Sequence, residues 1–392
     1  MRIMELWFTI VLLLFRNCSP IVKRRFKVRK EYFDRLVKIL NDKNIDAILI
    51  APSEEMEFIM DHNTHLCERF QALIIKKDGT YFYVCNLLTV EEVQAVLGPD
   101  IKVYGWFDGD LFTDTVRKAF EENGLIGKTI AVNSTERAFL ILQIMEAMDV
   151  KFVNGKPLLE EMRMIKDETE LNNLRMAARI TDESYEELLK FIRPGIKEAD
   201  IARKMNEIFK EKGADEGFTM VCSGPNSSYP HYNSDQRVIQ EKDIIILDWG
   251  CKYNGMCSDM SRTVFVGDIS EEERKVYEIV LESQEAGEKA AVNGAYIPDV
   301  DKASRDIIVN AGYEKNFFTR LGHGIGYSVH EAPDIKKSNE RYLEPGMVFS
   351  VEPGIYIAGK FGMRIENIIA VTKNGNEVLN QASKEIKIIK NK

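Results

Sequence analysis

Ile244-Ile245-Ile246-Leu247-Asp248-Trp249-Gly250, followed shortly by Ser258-Asp259-Met260-Ser261-Arg262-Thr263, is the stretch that decides how this chain is read. The aliphatic run Ile244 to Leu247 has the character of a buried strand, and Asp248 stands at its end. Asp259 comes eleven residues later, just before a second apolar run, Thr263 to Val266. An ionised carboxylate at a buried strand is costly unless it is paired or bound to metal. A hairpin between the two runs would bring both carboxylates together. Taken alone, an Asp before Trp249-Gly250 is turn punctuation, so the pair gains meaning only from its surroundings.

Further along, Glu352 closes the apolar run Met347 to Val351 and precedes Pro353-Gly354, which forces its backbone to be extended. Glu366 lies in a run from Arg364 to Val371, where Arg364, Glu366 and Ile368 share one face by the two-residue period. Glutamate is depleted in strands, and a solvated edge strand is its ordinary explanation. The chain has five histidines, and three of them, His231, His323 and His330, sit among these acids. Gly322 and Gly324 flank His323, leaving the backbone free to approach a ligand. A lone histidine is as often structural as functional. Taken together, Asp248, Asp259, Glu352, Glu366 and His323 form an oxygen-rich set of formal charge −4, which two divalent cations would balance. Carboxylates with one imidazole suit Mn²⁺ and admit Co²⁺, Zn²⁺ or Fe²⁺.

The rest of the chain frames this set. At 392 residues it exceeds the size at which a single core stops growing, so two domains are expected. A net charge of −9 offers no basic surface to displace counterions, which argues against a nucleic-acid partner. Six scattered cysteines with no CxxC pair suggest neither a zinc knuckle nor a disulfide framework, and fit a reducing, cytoplasmic setting. Residues 1–30 read as an extension: a ten-residue apolar run, Leu6 to Phe15, then a basic stretch that opposes export. No stable membrane insertion is expected, and a surface hook through residues 6–15 is the secondary reading.

Residues 31–157 read as an α/β domain, with helices over Tyr32 to Asn41, Val90 to Leu97, Thr113 to Asn123 and Glu136 to Ala147. Its strands fall at Ala47 to Ile50, Ala72 to Ile75 and Tyr81 to Val84. Residues 158–392 form a second, α+β domain. It begins with one long helix from Leu158 to Arg193 that stops at Pro194-Gly195, and includes helices over Glu198 to Lys212 and Glu271 to Val292. Its last strand pair turns at Asn374-Gly375.

Leu247-Asp248-Trp249-Gly250, Ser258 to Thr263, Gly322 to Gly326 with His330-Glu331-Ala332-Pro333, Glu352 to Tyr356 and Arg364 to Asn367 resemble, in order, the metal motifs of the pita-bread metallopeptidases. Ser223-Gly224-Pro225-Asn226 and Pro230-His231 add a further family motif. The preceding half resembles the creatinase-type N-terminal domain of the members that cleave next to proline, the prolidase and aminopeptidase P branch. The resemblance implies a curved antiparallel sheet with helices, two metal ions, and hydrolysis of the N-terminal Xaa-Pro bond of dipeptides or short peptides by a water shared between the metals. It implies that Asp248 holds one metal, His323 and Glu352 the other, and Asp259 and Glu366 both. Glu352 becomes the proton shuttle, and His231 and His330 the catalytic and substrate-binding hydrogen-bonding groups. Arg364 and Tyr356 become further substrate-side or orienting residues, and a homodimer is expected. Where relatives often carry a histidine four residues before His323, this chain has Thr319, which bears on recognition of a substrate carboxylate; Met256 and Asn367 stand where relatives more often have Tyr and Asp. The competing readings are a non-catalytic peptide- or protein-binding module of the same fold, a metal-free hydrolase like creatinase, and methionine aminopeptidase. The complete ligand set argues against the first two, and the large N-terminal half against the third.

Overall fold

The computed structural model describes residues 29–62, 65–232 and 236–390. The apolar run Leu6 to Phe15 and most of the basic stretch after it lie outside the described residues. The chain divides into two compact units between Gly155 and Lys156.

In the first unit, six strands form one mixed sheet: β1 (Ala47–Ile50), β2 (Ala72–Lys76), β3 (Tyr81–Asn86), β4 (Val103–Trp106), β5 (Thr129–Val132) and β6 (Lys151–Asn154). Their order is β4-β3-β2-β1-β5-β6, with β1 antiparallel to β2 and parallel to β5. All four residues of β1 are buried, as an aliphatic run with neighbours on both edges requires. The helix Lys30–Asp42 turns Leu36, Ile39 and Leu40 inward, the spacing of one helical face.

The second unit opens with two helices where one was expected, Lys156–Met164 and Glu168–Leu188. The break has a local cause. The Asp167 side chain accepts from Glu170 N while the Glu170 side chain reaches back to Asp167 N, a capping box that starts a new helix. The second helix also stops at Leu188, short of the anticipated Arg193.

One sheet of this unit contains β7 (Asp215–Ser223), β8 (Ile244–Tyr253), β9 (Met256–Cys257), β10 (Met260–Val266) and β18 (Lys387–Ile389), in the order β18-β10-β8-β7 with β9 paired to β8. Asp248 is therefore in the middle of a strand and not at its end. Trp249-Gly250 is no turn, because β7 and β10 pair on both sides of it. Trp249 is fully buried, and a Cβ on Gly250 would lie 1.9 Å from Ser258 O. The turn comes later, at Asn254-Gly255, where φ is 47° and 82°.

A second sheet runs β12 (Glu331–Ile335), β11 (Gly322–Gly324), β13 (Val348–Val351), β16 (Asn367–Thr372), β17 (Gly375–Val378), and a separate ribbon pairs β14 (Gly354–Ile357) with β15 (Phe361–Arg364). The anticipated single strand from Arg364 to Val371 is thus two. Arg364 pairs with Gly354 in the ribbon, Asn367 pairs with Val351 in the sheet, and Ile365-Glu366 carries the chain from one to the other. Among the described residues no helix is long and apolar enough to cross a membrane.

Candidate active site

The sheets bring together what the sequence scatters. Because β8 and β10 are antiparallel with Ser261 opposite Asp248, the carboxylates of Asp248 and Asp259 face one cleft. His323 on β11, Glu352 just beyond β13 and Glu366 on the crossing face the same cleft, of about 340 Å³. His231, His330, Tyr356 and Arg364 also line it, so every residue singled out from the sequence reaches this space. Glu366 is no solvated edge residue: it is 1% exposed, because the crossing lies against β10 and Glu366 N donates to Ser261 O. The glycines beside His323 have a different reason from the anticipated one. A Cβ at Gly322 would lie 1.9 Å from Ser350 O, and one at Gly324 would lie 2.3 Å from Ala332 O, so they admit neighbouring backbone.

Ligand atoms of Asp259, His323 and Glu366 all lie within 4.8 Å of one another. His323 Nδ1 is 3.1 Å from Gly324 O, the contact of an N–H donor, which leaves Nε2 as the lone-pair nitrogen. That nitrogen faces Glu352 Oε1 at 3.3 Å and Asp259 Oδ2 at 3.6 Å. Burial pushes the His323 imidazole down to about 4, so it is neutral at pH 7 and these contacts are not ion pairs. Acceptor therefore faces acceptor. Among the described residues, Asp248 Oδ1, Asp259 Oδ1 and Glu366 Oε1 are buried without a hydrogen-bond partner. Burial first, and then the neighbouring carboxylates, hold Asp259 and Glu366 well above the ordinary carboxylate range, and Glu352 is raised mainly by burial. Lone pairs from four carboxylates and one imidazole converging without compensating donors are what hard divalent cations satisfy. The residues present fit a metal centre.

Arg364 organises one side of it. Its Nη2 donates to Asp248 Oδ2 at 2.5 Å, Nε to Ser261 Oγ at 2.8 Å, and Nη1 to Tyr356 Oη at 2.9 Å and Pro230 O at 3.2 Å. Burial opposes its charge, but Tyr356 and the acids Asp248, Glu352 and Glu366 outweigh it and hold the guanidinium firmly protonated. Its donors are committed to protein groups, an orienting arrangement for Asp248. Tyr356 is itself buried, and burial raises its hydroxyl to about 12.

Two supporting residues were not singled out from the sequence. Ser261 Oγ donates to Glu366 Oε2 at 2.6 Å, and Ser350 Oγ accepts from His323 N and donates to Glu352 Oε1 at 3.2 Å. Each stands two residues from a carboxylate of the set, Ser261 from Asp259 and Ser350 from Glu352, the same-face spacing of extended chain. At the mouth, His330 is exposed and sets its ring edge-on against His323 at 4.2 Å. Desolvation and the neighbouring His323 lower the His330 imidazole to about 4. His231 is exposed on the loop that follows Pro230.

A fold of two sheets around a buried cluster of acids and imidazole defines a metal-dependent hydrolase. The chain belongs to metallopeptidase family M24, whose model matches residues 172–373, while the Creatinase/Prolidase N-terminal domain matches residues 33–165. It has the two-domain pita-bread fold with a creatinase-type N-terminal domain. It is 34% identical over 367 residues to the Xaa-Pro dipeptidase of Lactobacillus helveticus, covering 91% of this chain and 98% of that protein. Its structure matches a dipeptidase from Pyrococcus horikoshii OT3, with TM-score 0.83, 34% identity, and coverage of 91% of this chain and 99% of that one. It also matches a prolidase from Thermococcus sibiricus, with TM-score 0.86, 31% identity, and coverage of 92% and 99%. The chain is a metallopeptidase whose family uses divalent metal ions, and its substrates are peptides.

Proposed function

We propose that this metallopeptidase hydrolyses the Xaa-Pro bond at the N-terminus of dipeptides or short peptides, with two divalent cations, Mn²⁺ in preference to Co²⁺, Zn²⁺ or Fe²⁺, held by Asp248, Asp259, His323, Glu352 and Glu366. The observation that carries this reading is the convergence of partnerless buried carboxylate oxygens on the lone-pair nitrogen of His323, in a chain similar to Xaa-Pro dipeptidases. When bound, the cations supply Lewis acidity that lowers the pKa of water and polarises the scissile carbonyl.

The chain's own groups have separable tasks. Glu352, with its carboxyl raised by burial and its Oε1 held by Ser350, is placed to take a proton and return it to the leaving nitrogen. His330, neutral near pH 7, donates a hydrogen bond as an uncharged imidazole, and His231 shares the mouth with it to hold the substrate carbonyl oxygen. Arg364 and Tyr356 keep Asp248 in place, and Phe218, Met220 and Val329 give the cleft apolar wall for a pyrrolidine ring and its neighbour. The protein acts as a homodimer in the cytoplasm, which light scattering and fractionation test.

The deciding assay presents Mn²⁺-loaded protein with Xaa-Pro, Xaa-Pro-Yaa and Met-Ala-Yaa peptides. Turnover of the proline peptides, lost on chelation and best restored by Mn²⁺, is the expected result. Cleavage of Met-Ala-Yaa alone overturns the proline assignment. Absence of both turnover and metal binding would return the chain to the class of binding modules.

A further inference from the structure

Thr319 stands where relatives often have a histidine, and the next residue, Arg320, carries a charge into the cleft that the mechanism above does not use. Two arginines line this space. Arg364 is buried and its donors are spent on Asp248, Ser261, Tyr356 and Pro230. The Arg320 side chain is 37% exposed, and among the described residues its one hydrogen bond runs from Nη1 to Asp334 Oδ1 at 2.6 Å. Lys336 Nζ donates to the other oxygen of the same carboxylate at 2.6 Å. Two cations therefore share one anion, and this side of the cleft keeps an uncompensated positive charge. Its Nε and Nη2 donors are left to present a planar fork that suits a carboxylate. The acids of the metal set sit in the same cleft, so its electrostatics are divided: anionic where cations belong, cationic beside Arg320.

We propose that Arg320 is a specificity-determining residue that binds a carboxylate of the peptide substrate. The inference rests on the Xaa-Pro reading given above. A substrate offers that group from one of two sources: the C-terminal carboxylate of an Xaa-Pro dipeptide, or an acidic side chain on the residue before proline. The half-exposed setting makes the contact one of binding and orientation, so it acts mainly on KM. The Asp334 pairing holds the guanidinium at the cleft without consuming its charge, because Lys336 balances the same acid.

The test uses full-length Mn²⁺-loaded protein and three peptides: Leu-Pro, Leu-Pro-amide and Asp-Pro-amide. For Arg320→Gln the KM for Leu-Pro rises about tenfold with kcat changed less than about threefold, and the kcat/KM ratio of Leu-Pro to Leu-Pro-amide falls by the same factor. A loss confined to Asp-Pro-amide supports the same residue with the side chain as the source. An equal loss on all three peptides, or none on any, overturns the proposal. Arg320→Lys, which keeps the charge without the fork, recovers part of the KM effect, as a merely structural role would not. Failure of the Xaa-Pro reading would be seen separately, as no turnover of any peptide by the unsubstituted protein. Calorimetric binding of the three peptides to both proteins then carries the test, with the same pattern expected.

Discussion

Glu331 and Glu366 are both buried glutamates in the same unit, and the surroundings of the two could hardly differ more. Glu331 lies among cations: Lys166 Nζ donates to Oε2 at 2.9 Å, Arg163 Nη1 is 3.3 Å from Oε1, and Ser328 N donates to Oε1 at 2.8 Å. Burial alone would raise its carboxyl, but Lys166 and Arg163 outweigh it and lower the value. Glu366 has Ser261 on one oxygen, no partner on the other, and carboxylates as its charged neighbours. Burial, Glu352 and Asp248 drive it far above its ordinary value. The fold neutralises the first acid with its own side chains and leaves the second to be neutralised by something it binds. Burial of charge is thus not the mark of the functional region; burial of charge without internal compensation is.

The largest expected effect breaks this contrast directly. Glu366→Gln lowers kcat/KM by about three orders of magnitude or more, while the metal-free protein melts no lower than wild type, because an uncompensated acid has been removed. Glu331→Gln does the reverse. It strands Lys166 and Arg163 without their anion, costs about 3–5 kcal/mol, and lowers the melting temperature on the order of 10 °C, with turnover per folded molecule within about tenfold. Calorimetry and steady-state kinetics on both variants decide the matter, and equal losses of stability and turnover in both would refute the distinction.

A smaller effect comes from protons. In the metal-free folded protein Asp259 and Glu366 keep their protons above the ordinary values of 3.8 and 4.5, at which the unfolded chain releases them. The folded state binds more protons, so these two groups make stability fall as pH rises from about 4 upward. Glu331 has the opposite sign: its lowered carboxyl contributes stability above 4.5, and that contribution is lost as pH falls through its folded value. Chelated protein is therefore expected to lose on the order of 5 °C in melting temperature between about pH 5 and pH 8, and saturating Mn²⁺ to abolish the decline. Identical profiles with and without metal would count against a cation balancing these acids.

The smallest effect sharpens the contrast at Ser261. Ser261→Ala removes the hydroxyl that donates to Glu366 and accepts from Arg364, and metal titration by activity should show affinity weakened roughly tenfold to a hundredfold. A wild-type titration curve would mean that Glu366 does not depend on this support.

Much of the site was legible because its chemistry is concentrated in conspicuous places. Asp248 against Ile244 to Leu247, His323 between glycines and Glu352 before Pro353-Gly354 break an apolar or turn pattern, and such breaks can be read locally. Ser261 and Ser350 escaped because a serine breaks no pattern. The signal that could have found them is the two-residue period, since each lies on the same face as a carboxylate already singled out. Helix positions were mostly legible, but the long helix was overextended because its capping box at Asp167 was not weighed against apolar periodicity.

What the sequence determined by itself was the inventory: which acids and which imidazole exist, in what order, and which apolar runs become strands. Those follow from local spacing and from the cost of burying charge. Only the tertiary structure decided that Asp248 lies mid-strand, that Glu366 sits where the chain crosses between sheets, and that Arg364 is spent while Arg320 is not. These depend on partners far away in the chain, as Ser261 is from Glu366 at 105 residues and Arg364 from Asp248 at 116. No local pattern encodes such a distance, because which donor meets which acceptor is settled only when the sheets pack.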